Sequence, residues 1–225
     1  MPRTSNPSKE LSNMSSIQKV QDFMEVVKSR RSVKLYDSSV TISREEMSQM
    51  LEEASLAPSS VNLQPWRFVV IESPEAKAKL LPLASSNSKQ VETSSAVVAV
   101  FGDLNFPEYM DEIFSDTVAS GYMPQEVKEQ FMAAYLPLLQ SLSLEQKRDT
   151  VLIDAGLVSM QFMLVARAHG YDTNPIGGYD KNQIAGAFGL DAQRYVPVML
   201  ISIGKAAAAG HPSTRLAVDR TTVWH

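Results

Sequence analysis

The chain has 225 residues and no cysteine. Disulfide scaffolds, thiolate nucleophiles and cysteine-ligated metals are therefore excluded. Histidine is nearly as scarce. His169, His211 and His225 are the three present, and no two stand at metal-ligand spacing. His169 closes a helical pattern, where partial positive charge complements the helix dipole. The phosphate loop G-x-x-x-x-G-K-S/T, the dinucleotide loop G-x-G-x-x-G after a strand, and G-x-S-x-G are all missing. GAFGL (Gly186 to Leu190) lies near a helix end with the wrong spacing for a nucleotide loop. No apolar run approaches the ~18 residues of a spanning helix. The longest, AVVAVF and VPVMLISI, are strand-length. Net charge is only −4, with a pI of about 5.4, so no basic footprint for nucleic acid covers the surface. The first 16 residues have no apolar signal region. Their Ser, Asn and Pro content reads as a disordered arm outside the fold. These absences point to a cytoplasmic protein with neither a nucleic-acid nor a membrane partner.

What is present is ordinary for a globular chain: 44% hydrophobic and 20% charged residues. Residues 17–225 read as one domain. Ile17 to Arg30 places Val20, Phe23, Val26 and Val27 on one helical face. Ser43-Arg44-Glu45-Glu46 predicts a capping box opening a helix that ends before Pro58. WRFVVIE is a strand, Pro74 to Leu83 a short helix, and Ser95 to Gly102 a buried strand. Residues 106–148 read as an irregular helical segment broken near Gly121 and Pro137, rich in aromatics and methionine. Asp149 to His169 predicts a helix apolar on most of its circumference, central to the domain or inside a subunit interface. Gly170 stops it. A short strand through NPIGG, a short helix over 180–188 and the strand YVPVMLISIGK follow. The fold class is α+β, a few-stranded sheet with helices layered over it.

Five polar stretches could carry chemistry. In RRSVK, Arg30, Ser32 and Lys34 alternate, so an extended segment presents two cations and a hydroxyl on one side, as an anion clamp would. The same residues also suit the C-terminus of a helix. PSSVNLQPW sets the amides of Asn62 and Gln64 two apart, a donor and acceptor rack for the edge of a planar heterocycle if the loop is extended. NSKQ (Asn87 to Gln90) alone reads as a surface turn. In NPIGG, Gly177 and Gly178 allow close backbone approach to a flat ligand. Arg215 lies in HPSTRL near the end.

In this order, RRSVK, APSSVNLQPW, NSKQVETSSAVVAV, NPIGG and a late arginine resemble the FMN-dependent nitroreductases, from about Ile17 to the end of the chain. The resemblance implies a three-layer fold with a mostly antiparallel central sheet, in an intertwined homodimer with FMN at the subunit interface. It implies that Arg30, Arg31, Ser32 and Lys34 hold the phosphate and pyrimidine edge, and that Arg215 joins the phosphate clamp. Pro58, Ser59, Ser60, Asn62 and Gln64 would come from the other subunit. Asn87 and Gln90 would reach the ribityl or pyrimidine side, and Pro175, Ile176, Gly177 and Gly178 would cover the dimethylbenzene and N5 region.

The implied activity is ping-pong reduction of a nitroaromatic, a quinone or a similar small electron acceptor by NADH or NADPH. The chemistry is carried by the flavin, so no catalytic side chain is required. The segment 106–148 would lid the substrate side. Two positions depart from the common pattern: Gly177 stands where many members carry an acid, and Gln90 where some carry lysine. Dehalogenation, dehydrogenation or flavin fragmentation on the same fold, and a non-enzymatic FMN-binding protein, are the alternatives.

Overall fold

A computed structural model describes residues 22–225. The expected helix start at Ile17 and the N-terminal arm lie outside the described residues. The first described helix, α1, spans Phe23–Ser29 behind an Asp22 N-cap. Helix α2 spans Arg44–Ala54. Only half of its expected capping box forms. Ser43 accepts from the Glu46 amide, but the Glu46 carboxylate is drawn away to accept from the Tyr171 hydroxyl at 2.8 Å.

Four strands form one sheet in the order β1-β2-β4-β3, with every neighbouring pair antiparallel: β1 Trp66–Ile71, β2 Ala96–Asp103, β3 Asp172–Ile176 and β4 Tyr195–Gly204. β2 is buried along its whole length because both faces are covered. Val98 and Val100 face a cluster with Met50, Ala155, Val158 and Phe162. Val97, Ala99 and Phe101 face another with Ile71, Leu80 and Ile184. Alternation along one strand thus feeds two helical layers, the expected three-layer arrangement. The β2–β4 register slips between Val100 and Phe101, where Pro197 sits opposite Phe101. A bulge accommodates a residue that cannot donate to the ladder.

Helix α3 spans Pro74–Leu80, and a 3-10 stretch, Leu81–Asn87, leads into α4, Ser88–Thr93. NSKQ is therefore a helix start, not a surface turn, and Gln90 is buried. Beyond β2, the turn Phe106–Tyr109 opens into α5, Met110–Ala119, and after Gly121 comes α6, Gln125–Ser141. Pro137 does not break α6. It forfeits the bond to the Ala133 carbonyl and crowds that group, but Ala133 is exposed, so water can satisfy the carbonyl. Helix α7 spans Leu144–Ala168 and starts five residues earlier than expected. Its Ser143 and Gln146 form a complete capping box. Gly170, at φ +78°, ends it as expected. Among the described residues α7 is the one helix long and apolar enough to cross a membrane, but Val151, Ala155, Val158, Phe162 and Ala166 pack it against the sheet. Helix α8 is short, Ile184–Ala187.

Candidate functional site

Three of the five stretches meet at the β3 edge. After α1 the chain extends, and Ser32 bridges in parallel to Thr173 while the Val33 amide donates to the Thr173 carbonyl at 3.1 Å. Val33 is buried, so Ser32 and Lys34 face outward together, as the alternation predicts. β3 then delivers Gly177 and Gly178. The Asn87 amide donates to the Gly178 carbonyl at 2.9 Å, and Gln90 donates to Asn87 Oδ1 at 3.0 Å.

The two readings of RRSVK divide between its residues. Arg31 folds back, its NH1 donating to the Lys28 and Arg30 carbonyls, and serves as the helix C-terminal cap. Arg30 and Lys34 make no ion pair among the described residues. A Cβ on Gly177 would meet nothing within 4 Å, so its outer side is open. The Tyr179 hydroxyl is shielded without a hydrogen-bond partner among the described residues, and burial pushes it up to about 12. Unpaired cations, an amide chain and open glycine backbone can together receive an anionic, flat, hydrogen-bonding ligand.

Arg215 does not join them. Among the described residues it bonds only Ser213 and Thr214, on an arm exposed throughout 211–220. The arm does start beside the cluster: Ala207 donates to the Leu35 carbonyl at 3.0 Å. A Cβ on Gly210 would stand 2.5 Å from the Arg31 Cβ, so that approach requires glycine.

The fourth stretch lies elsewhere, before β1. Pro58 to Gln64 is not the extended rack expected. Ser60–Asn62 is a tight turn, with φ of +53° at Val61, +56° at Asn62 and +47° at Gln64. Such backbone costs about 1–3 kcal/mol per residue and persists only where the surroundings fix it. Asp154, buried in α7, does so by accepting from the Ser60 amide at 3.0 Å and hydroxyl at 3.1 Å. Burial raises the Asp154 pKa, and the two Ser60 bonds oppose that rise. Ser59 Oγ accepts from the Gln64 amide at 3.0 Å. Beside this turn a cavity of about 490 Å³ opens between Asn62, Gln64 and Arg67 on one side and Tyr109, Asp116 and Tyr122 on the other. The segment expected to act as a lid thus borders the amide loop.

β1 and β3 are the two edges of the sheet, three strand spacings or roughly 14 Å apart. No hydrogen bond among the described residues joins the two clusters. Between them α1 and α7 leave Phe23, Val27, Leu157 and Met160 exposed, and Phe23, Pro58, Leu157 and Met160 line an apolar groove of about 560 Å³.

Residues 27–205 match the model of the nitroreductase family. The chain belongs to that family. It is 62% identical to YdgI of Bacillus subtilis (strain 168), provisionally named an NAD(P)H nitroreductase, over 92% of this chain and 99% of that one. It is 40% identical to the CLA biosynthesis enone reductase of Lactiplantibacillus plantarum, over 86% of this chain and 90% of that one. An FMN-bound crystal structure from Exiguobacterium sibiricum, provisionally described as a nitroreductase, superposes with a TM-score of 0.90 at 58% identity, covering 92% of this chain and 99% of that one. That superposition shows that the Exiguobacterium structure shares the fold found here.

Two site features of this nitroreductase-family chain escape sequence reading. Asp154 has no local signal, since it acts on Ser60 from 94 residues away. Asp103 ends a run of apolar strand residues and reads as the edge of a loop, yet it is fully buried.

Proposed function

We propose that the chain is an FMN-dependent oxidoreductase that takes two electrons from NADH or NADPH and passes them to a nitroaromatic, a quinone or a similar small acceptor. Family membership, an FMN-bound relative at 58% identity and relatives named NAD(P)H nitroreductases support this reading. The observation that carries it is the division of the site. Each sheet edge presents half of a cradle, and an unpaired apolar face lies between them. A homodimer across that face would bring the loop of one chain to the β3 edge of the other.

The residues present fit FMN. Arg30, Ser32 and Lys34 would take its phosphate and pyrimidine edge, with Lys34 stabilising negative charge that develops there. Arg31, capping α1, would add positive field without a direct bond from NH1. Asn87 and Gln90 form an amide chain matched to polar edges, and Pro175 to Gly178 leave backbone open to the ring. Arg215, on its arm, would close over the phosphate. The amides of Asn62 and Gln64 of the partner subunit, with Pro58, Ser59 and Ser60 of the partner subunit, would complete the cradle. When bound, FMN supplies the hydride-exchanging centre, and the protein positions it and sets its surroundings. The 106–148 segment, bordering the cavity, would exclude water and admit acceptors. A cytoplasmic setting supplies both nicotinamide donors.

A second reading concerns the acceptor. The enone reductase at 40% identity favours a conjugated carbon–carbon double bond as an alternative to a nitro group. A panel of nitroarene, quinone and enone acceptors, with NADH and NADPH in turn, tests both. Turnover of nitroarenes and quinones supports the first reading, turnover of enones alone the second, and none at all contradicts both.

A further inference from the structure

Asp103, the last residue of β2, is fully buried and holds more side-chain bonds than the end of a strand needs. The backbone already anchors the strand there: the Asp103 amide donates to the Pro65 carbonyl at 2.7 Å, and the Leu104 amide to the Arg194 carbonyl at 3.0 Å. The carboxylate does something further. It receives both arms of Arg194, Nε to Oδ1 at 2.8 Å and NH2 to Oδ2 at 3.0 Å. The Tyr109 hydroxyl reaches Oδ2 at 3.3 Å, the Asn105 amide reaches Oδ1 at 2.9 Å, and Arg67 NH2 stands 3.4 Å away.

Two of these partners, Arg67 and Tyr109, line opposite walls of the 490 Å³ cavity, and Arg194 holds Tyr109 without lining it. On the loop wall, Arg67 NH1 donates to the Gln64 carbonyl at 3.1 Å and the Trp66 carbonyl at 2.6 Å, and so holds the strained backbone of Gln64. On the helical wall, Arg194 NH2 donates to the Tyr109 hydroxyl at 3.0 Å and pairs with Glu108 at 3.2 Å. The Arg67 guanidinium lies 4.3 Å from the Tyr109 ring centroid, so the walls also touch each other directly. Two guanidinium groups converge on Asp103, with Glu108 the other carboxylate that faces them. Without the Asp103 charge two cations would be left close together and half-buried.

We propose that Asp103 is a positioning residue for the acceptor site: it ties the amide loop to the helical segment opening at Phe106, so that the two walls keep one spacing. Its kinetic consequence rests on the functional reading above. Its mechanical consequence does not.

The test is native-state hydrogen exchange with steady-state kinetics on the full chain carrying Asp103→Asn. Exchange at amides 60–64 and 106–119 should rise together, by about tenfold or more, while that of α2 is unchanged. The KM for the acceptor should rise by about tenfold, with reduction by the nicotinamide donor altered less than about twofold. Loosening confined to one wall, loosening spread equally over the molecule, or no loosening would overturn the tie. If Asp103→Asn does not fold, the cross-effects decide. Tyr109→Phe should loosen the loop, and Arg67→Lys, which keeps charge but loses the planar geometry, should loosen residues 106–119. Absence of both cross-effects overturns the proposal. Coupled exchange in a protein that turns over no acceptor would uphold the tie and sink the functional reading. Uncoupled exchange in an active enzyme would overturn the tie alone.

Discussion

Lys34 is exposed at the β3 edge with no acidic partner among the described residues, so its charge is free to act on a ligand. A charge-assisted hydrogen bond is worth about 1.5–3 kcal/mol. Lys34→Ala should therefore weaken FMN binding roughly 10- to 100-fold, read by flavin released on dilution, while the dimer persists. Arg215→Ala should act in the same direction, and wild-type retention in both variants would remove the clamp. Asp154 makes a pH prediction. Burial raises its folded pKa above the ordinary carboxylate range, so in that window the folded state binds more protons than the unfolded one. Its contribution to stability must then fall as pH rises from the ordinary range through the raised value. Asp154→Asn should be less stable throughout, by about 1–3 kcal/mol, because a Ser60 donor loses its acceptor. The gap from wild type should narrow with rising pH across that window, measured as urea midpoints, and a widening gap would contradict the assignment. Gly102 makes a packing prediction. A Cβ there would stand 2.6 Å from Val151 side-chain atoms, so Gly102→Ala should destabilise by about 1–3 kcal/mol in thermal or urea unfolding.

At the scale of elements, the legible parts were those fixed by local pattern. The alternation of β2, the apolar run of α7 and the Gly170 stop all depend on residues close in sequence. The start of α7 was misplaced because its first turn is polar and reads as part of the lid, although Ser143 and Gln146 carried the signal. Ser143→Ala should cost about 1 kcal/mol of stability, read from the urea midpoint. Pro137 misled because a proline in a helix is a cost and not an absolute stop, and at this exposed site water can satisfy the carbonyl it leaves free. The half-formed box at Ser43 and the strained turn at Val61 share a different cause. Tyr171 and Asp154, each far along the chain, supply partners that no local window contains. At the site the local rule does not apply, and the resemblance rather than any local pattern brought the stretches together. Which residue types gather at the β3 edge was legible, including Ser32, Asn87 and Gly178. The diversion of Arg31 into a helix cap follows one of the two readings its position offered, since its partners are local. The distance of Arg215 was not legible, because it depends on where the chain runs after β4.

At the scale of the molecule, the two separated clusters and the exposed face of α1 and α7 support the proposal that a second copy completes the site. Burying Leu157 and Met160 in a symmetric contact would stabilise it by roughly 25 cal/mol per Å² of apolar area removed from water. Leu157→Asp places a charge in the middle of that face. It should yield a monomer by sedimentation and release flavin in proportion, whereas a monomer that keeps FMN would show that one chain holds the whole site.

The central claim is tested most directly by an absorbance spectrum of the purified protein, taken before and after anaerobic NADH or NADPH. The account predicts a yellow protein carrying bound flavin that bleaches on adding a nicotinamide donor and regains its colour when an acceptor follows. A colourless protein that also fails to take up added FMN would contradict it.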